Sequence, residues 1–499
     1  MNLATIIEPH DPDAVALRYD GLYLTYGQLR RRCGVTRSRL VGYGIGPGDA
    51  VALAYPTTPD FAIAYFAILG VGAIAVPLNP ESPLPELSEE LAAVRAQAVM
   101  LGGPRAESLR SAIEELGYRV IDLDEPGEAA ATGEAAAPPI VERAPDDTAV
   151  LLFTSGTAGS PKAAILSHAN LLANIDQMGL AVGLAATAVD VGVLVVPPFH
   201  IYGLNAVLGV HLYAGGSLVL MERFDAASLL EAIVREKVTV LPGVPQLFAA
   251  LATYPDATGS ELESVRLACS GAAPLSQDVA ERFEGRFGVR IFQAYGLTEA
   301  SPTVSFPDLG APPNAMSVGV PLPGIEVRIV DADGHPVEHG DPGEILVKGP
   351  NVFSGYFEDE VATHAVLDRQ GWLHTGDVAV MDDHGSITIV DRNKDLVIVS
   401  GFNVFPAEVE HVLEEHPGVK EAVVIGVPDP VLGESVRAFV MPSAEAWPDP
   451  GADRPSVTES DLIDHCARRL ARYKCPSSIV FVRELPHGIQ GKVLRRALA

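Results

Sequence analysis

The stretch TSGTAGSPK, Thr154 to Lys162, gathers hydroxyl side chains, two glycines and a lysine within nine positions. Gly156 and Gly159 let the backbone approach a ligand closely, Thr154, Ser155 and Thr157 supply hydroxyl donors, and Lys162 supplies a point charge. Such a set can close around phosphate oxygens. It is not the common P-loop: counting G-x-x-x-x-G-K-[ST] from Gly156 puts the second glycine at position 161, where the chain has Pro161. Proline has no N–H and stiffens the loop instead of donating. Taken alone, these residues leave open both a phosphate clamp of another kind and a solvated turn.

Four further stretches place polar groups in apolar surroundings: YGLTEASP (295–302), GWLHTGD (371–377), DRNKD (391–395) and GIQGK (488–492). Each has a bland alternative. Glu299 could be a helix-start acid with Thr298 as its N-cap, and Tyr295 a core tyrosine. Arg392 and Lys394 could be a solvated charge run between strands, and Lys492 a surface lysine.

The elements that must hold these residues follow from hydrophobic patterning. AVLLF (149–153), VGVLVVP (191–197), GSLVLM (216–221) and VTVLPGV (238–244) read as buried strands, and 168–178 and 226–236 have helical spacing. Alternation of the two implies α/β layering, with TSGTAGSPK in a strand–loop–helix context. Residues 125–139 (EPGEAAATGEAAAPP) read as a low-complexity surface loop. After Gly310 short punctuated strands (GIEVRIVDADG, GEILVKG) indicate a β-rich subdomain. Beyond it a helix (407–415), the strands EAVVIGV and SVRAFV and a helix (459–470) make a compact α+β unit, with the boundary near Arg392 to Asp395. The fold class expected is therefore α/β: a large N-terminal domain (1–393) of layered α/β subdomains plus the β-rich subdomain, and a small α+β C-terminal domain (394–499).

Phe61 to Leu78 runs 18 residues without a charge, the length of a membrane span. Gly70, Gly72 and Pro77 punctuate it, so a buried helix, a glycine turn and a core strand are expected instead, with no transmembrane segment. Gly70-x-Gly72-x-x-Ala75, with Glu89 and Glu90 beyond, mimics a dinucleotide fingerprint. Pro77 would break the helix that such a fingerprint must open.

A chain of 499 residues is too long for one ordinary core, and 48% hydrophobic residues with a mean hydropathy of +0.22 argue for well-buried ones. A net charge of −29 speaks against nucleic acid and anionic membrane surfaces as partners. The four cysteines are scattered without metal-ligand spacing, and the N-terminus MNLATIIEPHDPD has no signal-peptide pattern. A reducing, cytoplasmic setting is expected.

Together and in this order, the polar stretches resemble the adenylate-forming superfamily of acyl-CoA synthetases, adenylation domains and firefly-type luciferases, from LTYGQL (24–29) to Lys492. The resemblance implies an ATP-dependent acid–CoA ligase. A carboxylate attacks the α-phosphate of ATP to give acyl-AMP and pyrophosphate, and a thiol then takes the acyl group. It implies that Thr154 to Lys162 hold pyrophosphate, that Glu299 holds Mg²⁺, and that Thr298 touches phosphate. Tyr295, beside Gly296, would stack on adenine opposite the backbone of Gly271-Ala272-Ala273. Asp377 would accept from both ribose hydroxyls, with Arg392 in support. Lys492 would reach the reacting carboxylate, and Lys394 would be the hinge of a mobile C-terminal domain. Rotation there would exchange Lys492 for the segment of Ser400, Gly401 and Phe402, with Gly401 lining a pantetheine tunnel. Lys474, Arg495 and Arg496 would meet the CoA phosphates or remain solvated.

Departures from the superfamily pattern bear on rate and substrate. Ala158 replaces a common threonine in the clamp, and Ala294 replaces a common glycine beside the acyl pocket. His200, in PPFHIYGLN, stands where amino-acid adenylation domains place an aspartate, which implies an acid without an α-amino group. The wall residues Ile201, Tyr202, Leu204, Val244 and Ala272 include no basic side chain, which disfavours a dicarboxylate and favours a fatty or aryl acid. The partners expected are the acid, ATP and CoA, with an acyl carrier protein as alternative acceptor and a homodimer left open.

Overall fold

A computed structural model of the chain describes residues 1–123, 137–154, 162–181, 183–309, 317–331, 333–392, 397–443, 446–447, 455–485 and 498. The chain forms two compact units. The first comprises Met1–Pro80, Val94–Leu152 and Ala163–Asp391, and the second Glu81–Ala93, Phe153–Lys162 and Arg392–Ala499. Two short segments of the N-terminal half thus group with the C-terminal residues rather than with their neighbours in sequence.

The first unit is built on two largely parallel sheets. One has seven strands in the order Ile291–Gln293, Leu267–Ser270, Val240–Gly243, Val191–Leu194, Ser217–Leu220, Val15–Tyr19 and Leu22–Thr25, antiparallel only in its last pair. The other has six, in the order Arg119–Ile121, Ala98–Leu101, Ala50–Ala54, Ile74–Pro77, Thr148–Thr154 and Lys162–Ser167. Strands such as Ala50–Ala54 and Val191–Leu194 are buried at every position, as parallel strands covered on both faces must be, which explains their unbroken apolar runs. A four-stranded sheet (Glu326–Val330, Gly343–Lys348, Leu373–Met381, Ile387–Arg392), antiparallel across its first three strands, is the β-rich subdomain expected after Gly310.

The uncharged run at 61–78 folds as helix, turn and strand. Helix Pro59–Gly70 is buried from Phe61 onward, Gly72 turns at φ +78°, and Ile74–Pro77 pairs in parallel with Ala50–Ala54. The helix ends at the glycines instead of starting there, so no dinucleotide loop forms. No helix among the described residues is long and apolar enough to cross a membrane.

The second unit contains a mixed sheet in the order Phe402–Val404, Val397–Val399, Gly433–Pro442, Val419–Asp429, with Ser478–Phe481 parallel to Gly433–Pro442. Helices Pro406–Glu414 and Glu459–Ala467 pack with it around a core that includes Val404, Val424, Val436 and Leu462.

One local expectation is corrected. TSGTAGSPK does not lead into a helix: Thr154 ends one strand, Lys162 opens another, and helix His168–Leu180 starts only after that second strand. The helix N-terminus is taken by Ser167, whose Oγ accepts from Asn170 N–H at 3.0 Å in a capping box.

Candidate active site

In open α/β sheets ligands bind beyond the carboxyl ends of the strands. Three neighbouring parallel strands of the seven-stranded sheet end at one edge and deliver Gly243-Val244, Gly271-Ala272-Ala273 and Ala294-Tyr295 to it. Gly271 N–H donates to Gly243 O at 3.1 Å and Ala294 N–H to Ser270 O at 2.8 Å, carrying the ladder one step past each strand. Ala272 then turns at φ +67°.

Tyr295 is buried, with 4% of its surface exposed, and its hydroxyl donates to Asp377 Oδ2 at 2.7 Å. Asp377 reaches it through an irregularity in strand Leu373–Met381. Glu344 pairs with Val378 but Leu346 with His374, so extra residues bulge out at 375–377. Gly376 supplies the φ of +72°, Thr375 Oγ1 accepts from Asp377 N–H at 3.1 Å, and Gly376 N–H donates to Glu344 Oε1 at 3.0 Å. Bulges of this kind re-aim a side chain; here the carboxylate of Asp377 turns toward the aromatic ring.

Glu299 lies in the 3₁₀ turn Thr298–Ala300. Tyr356 donates its hydroxyl proton to Glu299 Oε1 at 2.6 Å, and Phe353 N–H donates to Glu299 O at 2.9 Å. Burial, with the Glu299 charge next, pushes the Tyr356 phenol far above its ordinary range, so it remains a donor. Three buried asparagines hold the backbone that follows it. Asn351 donates to Ala300 O at 2.7 Å, Asn205 to Ser301 O at 2.8 Å, and Asn174 donates to Thr303 O at 2.7 Å while accepting from Thr303 N–H at 3.1 Å. Side-chain amides complete the hydrogen bonds that this irregular segment cannot make with itself.

The residues expected around the acid lie on the same unit. Tyr202–Gly209 is a π-helix, and Gly203 is required in it because a Cβ would sit 2.3 Å from Val196 O. Ile201 and Leu204 are buried in the core. Tyr202 donates to Cys269 O at 3.1 Å, and its ring would lie 3.2 Å from a Cβ on Gly271. Tyr202 N–H donates to His200 Nδ1 at 3.2 Å, which puts the proton of a neutral imidazole on Nε2. Burial lowers His200 to about 4, so the ring is uncharged at neutral pH.

In the second unit, Ser400 (φ +51°) and Gly401 (φ +86°) join strands Val397–Val399 and Phe402–Val404 by a two-residue turn with both central φ positive, as a type I′ hairpin requires. Gly401 thus has a conformational role whatever passes beside it. Lys474 occupies neither of the settings expected for it: it is buried, and its ammonium pairs with Glu86 and with Glu408, at 2.8 Å from the latter. Thr154 Oγ1 lies 3.4 Å from Lys162 O, and Arg392 ends its strand. Ser155, Gly156, Thr157, Ala158, Gly159, Lys394, Lys492, Arg495 and Arg496 lie outside the described residues. Tyr356 and Glu344, both partly buried, and the three buried asparagines were invisible in sequence, being polar side chains without motif spacing.

The profile of the AMP-binding enzyme family matches residues 8–357, and that of the AMP-binding enzyme C-terminal domain matches 408–492. The chain belongs to the AMP-binding enzyme family. A feruloyl-CoA synthase from an Amycolatopsis species is 38% identical over 97% of this chain and 95% of its own. A long-chain-fatty-acid–CoA ligase from Escherichia coli is 34% identical, over 96% and 90%. The solved o-succinylbenzoate CoA synthetase from Bacillus subtilis superposes with a TM-score of 0.88 at 30% identity, covering 100% of this chain and 97% of that one. This chain is an AMP-forming acid–CoA ligase of the acyl- and aryl-CoA synthetase branch, with ATP, Mg²⁺ and CoA as co-substrates. Among the described residues Glu299 supplies a carboxylate and Thr298, in the same 3₁₀ turn, a hydroxyl: oxygen donors of the kind that metal takes, with phosphate to complete the set.

Proposed function

We propose that this ligase activates a fatty or aryl carboxylic acid that carries neither an α-amino group nor a second carboxylate. The observation that carries this is His200, neutral at physiological pH and set among Ile201, Tyr202 and Leu204. A neutral ring offers no counter-charge to an ammonium or a distal carboxylate, and an apolar wall disfavours both. Oxygen of the acid attacks the α-phosphorus as the bond to pyrophosphate breaks; the thiol sulfur of CoA then attacks the acyl carbon as the bond to AMP breaks.

In this scheme Asp377 receives the ribose hydroxyls, Tyr295 packs on adenine beside Gly271–Ala273 and Gly296, and Arg392 supports the ribose. Thr298, Glu299 and the residues from Thr154 to Lys162 hold the phosphates with Mg²⁺. Lys492 aligns carboxylate and α-phosphate, acting from a C-terminal domain (394–499) that turns about Lys394 on the N-terminal domain (1–393). After that turn Ser400, Gly401 and Phe402 guide the thiol. An acyl carrier protein is the second acceptor considered, since its pantetheine arm would use the same path. The four cysteines are free thiols, in keeping with a cytoplasmic enzyme.

Incubation with ATP, Mg²⁺ and a panel of acids, with and without CoA, tests this. Fatty or aryl acids should release AMP and give thioester with CoA; preference for an amino acid or a dicarboxylate refutes the substrate class. Thioester formed only on a carrier protein transfers the acceptor to that alternative. Lys492→Ala should cripple adenylation and spare thioester formation from supplied acyl-adenylate, whereas equal loss in both steps contradicts domain rotation.

A further inference from the structure

Helix Leu84–Ala93 lies in the chain between strands Ile74–Pro77 and Ala98–Leu101 of the six-stranded sheet, yet it groups with the C-terminal residues. Its bond to them is ionic and buried. Glu86 pairs with the Lys474 ammonium and accepts from Ala471 N–H at 2.7 Å. Glu408, in the first turn of helix Pro406–Glu414, takes the same ammonium at 2.8 Å. Glu90, one helical turn beyond Glu86, is also buried. Among the described residues Glu90 Oε2 and Glu408 Oε2 are buried without a hydrogen-bond partner. Among the described residues, Glu89 on the same helix, Tyr473 and Cys475 beside Lys474, and Arg472, whose charge acts on Cys475, are the other titratable groups around the cluster.

The cluster brackets one loop. Tyr473 stacks on Phe402, ring centroids 4.5 Å apart at 24°, and Glu408 lies in the first turn of the helix that starts at the end of SGFNVFP (400–406). The turn Arg472–Lys474 therefore grips that loop on both flanks, through an aromatic face and through an ion pair. We propose that Lys474 is a positioning residue for the thiol step: its ion pairs with Glu86 and Glu408 lock the Ser400–Phe402 turn in place and tie it to helix Leu84–Ala93. This rests on the assignment of Ser400–Phe402 to the thiol path.

Three carboxylates facing one ammonium in a buried site cannot all be charged cheaply. Burial first, then the Glu86 charge, raise Glu90 to about 8. A carboxyl raised in the closed cluster favours the closed form when protonated. Its contribution is whole below the ordinary carboxylate range, declines as pH rises above it, and is gone above about 8.

The test uses full-length enzyme with supplied acyl-adenylate and varied CoA between about pH 6.5 and 9, alongside pyrophosphate exchange. Lys474→Gln should lower kcat/KM for CoA about tenfold while pyrophosphate exchange stays within about twofold. Glu90→Gln, which keeps the fold should Lys474→Gln prove unstable, should exceed wild type by a margin that grows about threefold or more from the acid end to about pH 8 and levels off above it. Equal loss of both half-reactions in Lys474→Gln, an intact thiol step, or a flat ratio of Glu90→Gln to wild type across pH each overturns the proposal. Hydrogen exchange at 400–404 with and without CoA separates the two layers. No protection by CoA removes the thiol-path assignment. Protection together with an unaffected Lys474→Gln removes the latch alone.

Discussion

The phenolic hydroxyl of Tyr356 donates to Glu299 Oε1 at 2.6 Å, joining residues 57 apart in sequence. Glu299 is the carboxylate proposed to face Mg²⁺, so its orientation depends on a side chain from a separate loop. Tyr356→Phe keeps the ring, whose edge-on contact with Phe353 is 5.0 Å between centroids, and deletes a hydrogen bond to a charged group, worth about 1.5–3 kcal/mol. The kcat of pyrophosphate exchange should fall about tenfold with a higher Mg²⁺ requirement. Thioester formation from supplied acyl-adenylate should hold; a loss confined to that second step would contradict the placement of Glu299.

Asp377→Asn should raise KM for ATP about tenfold or more, because a neutral amide accepts more weakly than a carboxylate. Gly376→Ala should act in the same direction through backbone strain at φ +72°, of about 1–2 kcal/mol. Equilibrium binding of ATP to both variants checks this, and unchanged affinity in Asp377→Asn would remove the residue from the nucleotide site.

Asn174→Leu replaces an amide that pairs with both Thr303 N–H and Thr303 O by an apolar group of similar size. Two buried backbone groups then lose their partners, at a cost of about 1–3 kcal/mol each. Thermal unfolding should show a clear drop in Tm, and pyrophosphate exchange should fall more than the thiol step, since the clamp is local to 298–303. A variant as stable as wild type would show that the segment holds itself.

Acid should destabilise the fold through its buried histidines. His168 is fully buried, its Nδ1 accepts from Leu3 N–H at 3.0 Å, and burial lowers it to about 4. A base whose folded value is depressed contributes stability that is whole above its unfolded value near 6.5 and is lost as pH falls toward 4. The loss is on the order of 3 kcal/mol. Denaturant unfolding between those limits should show His168→Gln with a shallower pH dependence than wild type. Parallel slopes would place the acid sensitivity elsewhere, with His200 next to examine.

Local patterning in the sequence was enough to identify the layered α/β core, the helix–turn–strand at 59–77 and the β-rich stretch after Gly310, because burial imposes periods that neighbouring residues display by themselves. The order of the polar stretches likewise carried the family, since Thr298, Glu299 and Asp377 sit in short segments whose chemistry is local. Tertiary structure alone decided what supports them. Tyr356 reaches Glu299, Asn174, Asn205 and Asn351 meet one backbone segment, and Lys474 meets Glu86 across 388 residues. Only packing dictates such pairings, and no spacing announces them. The strand that follows TSGTAGSPK was hidden for the same reason: Lys162–Ser167 lies at the edge of the six-stranded sheet, meets Gly355 and Phe357 through Ile165 and Ala163, and its few residues could not reveal that partner.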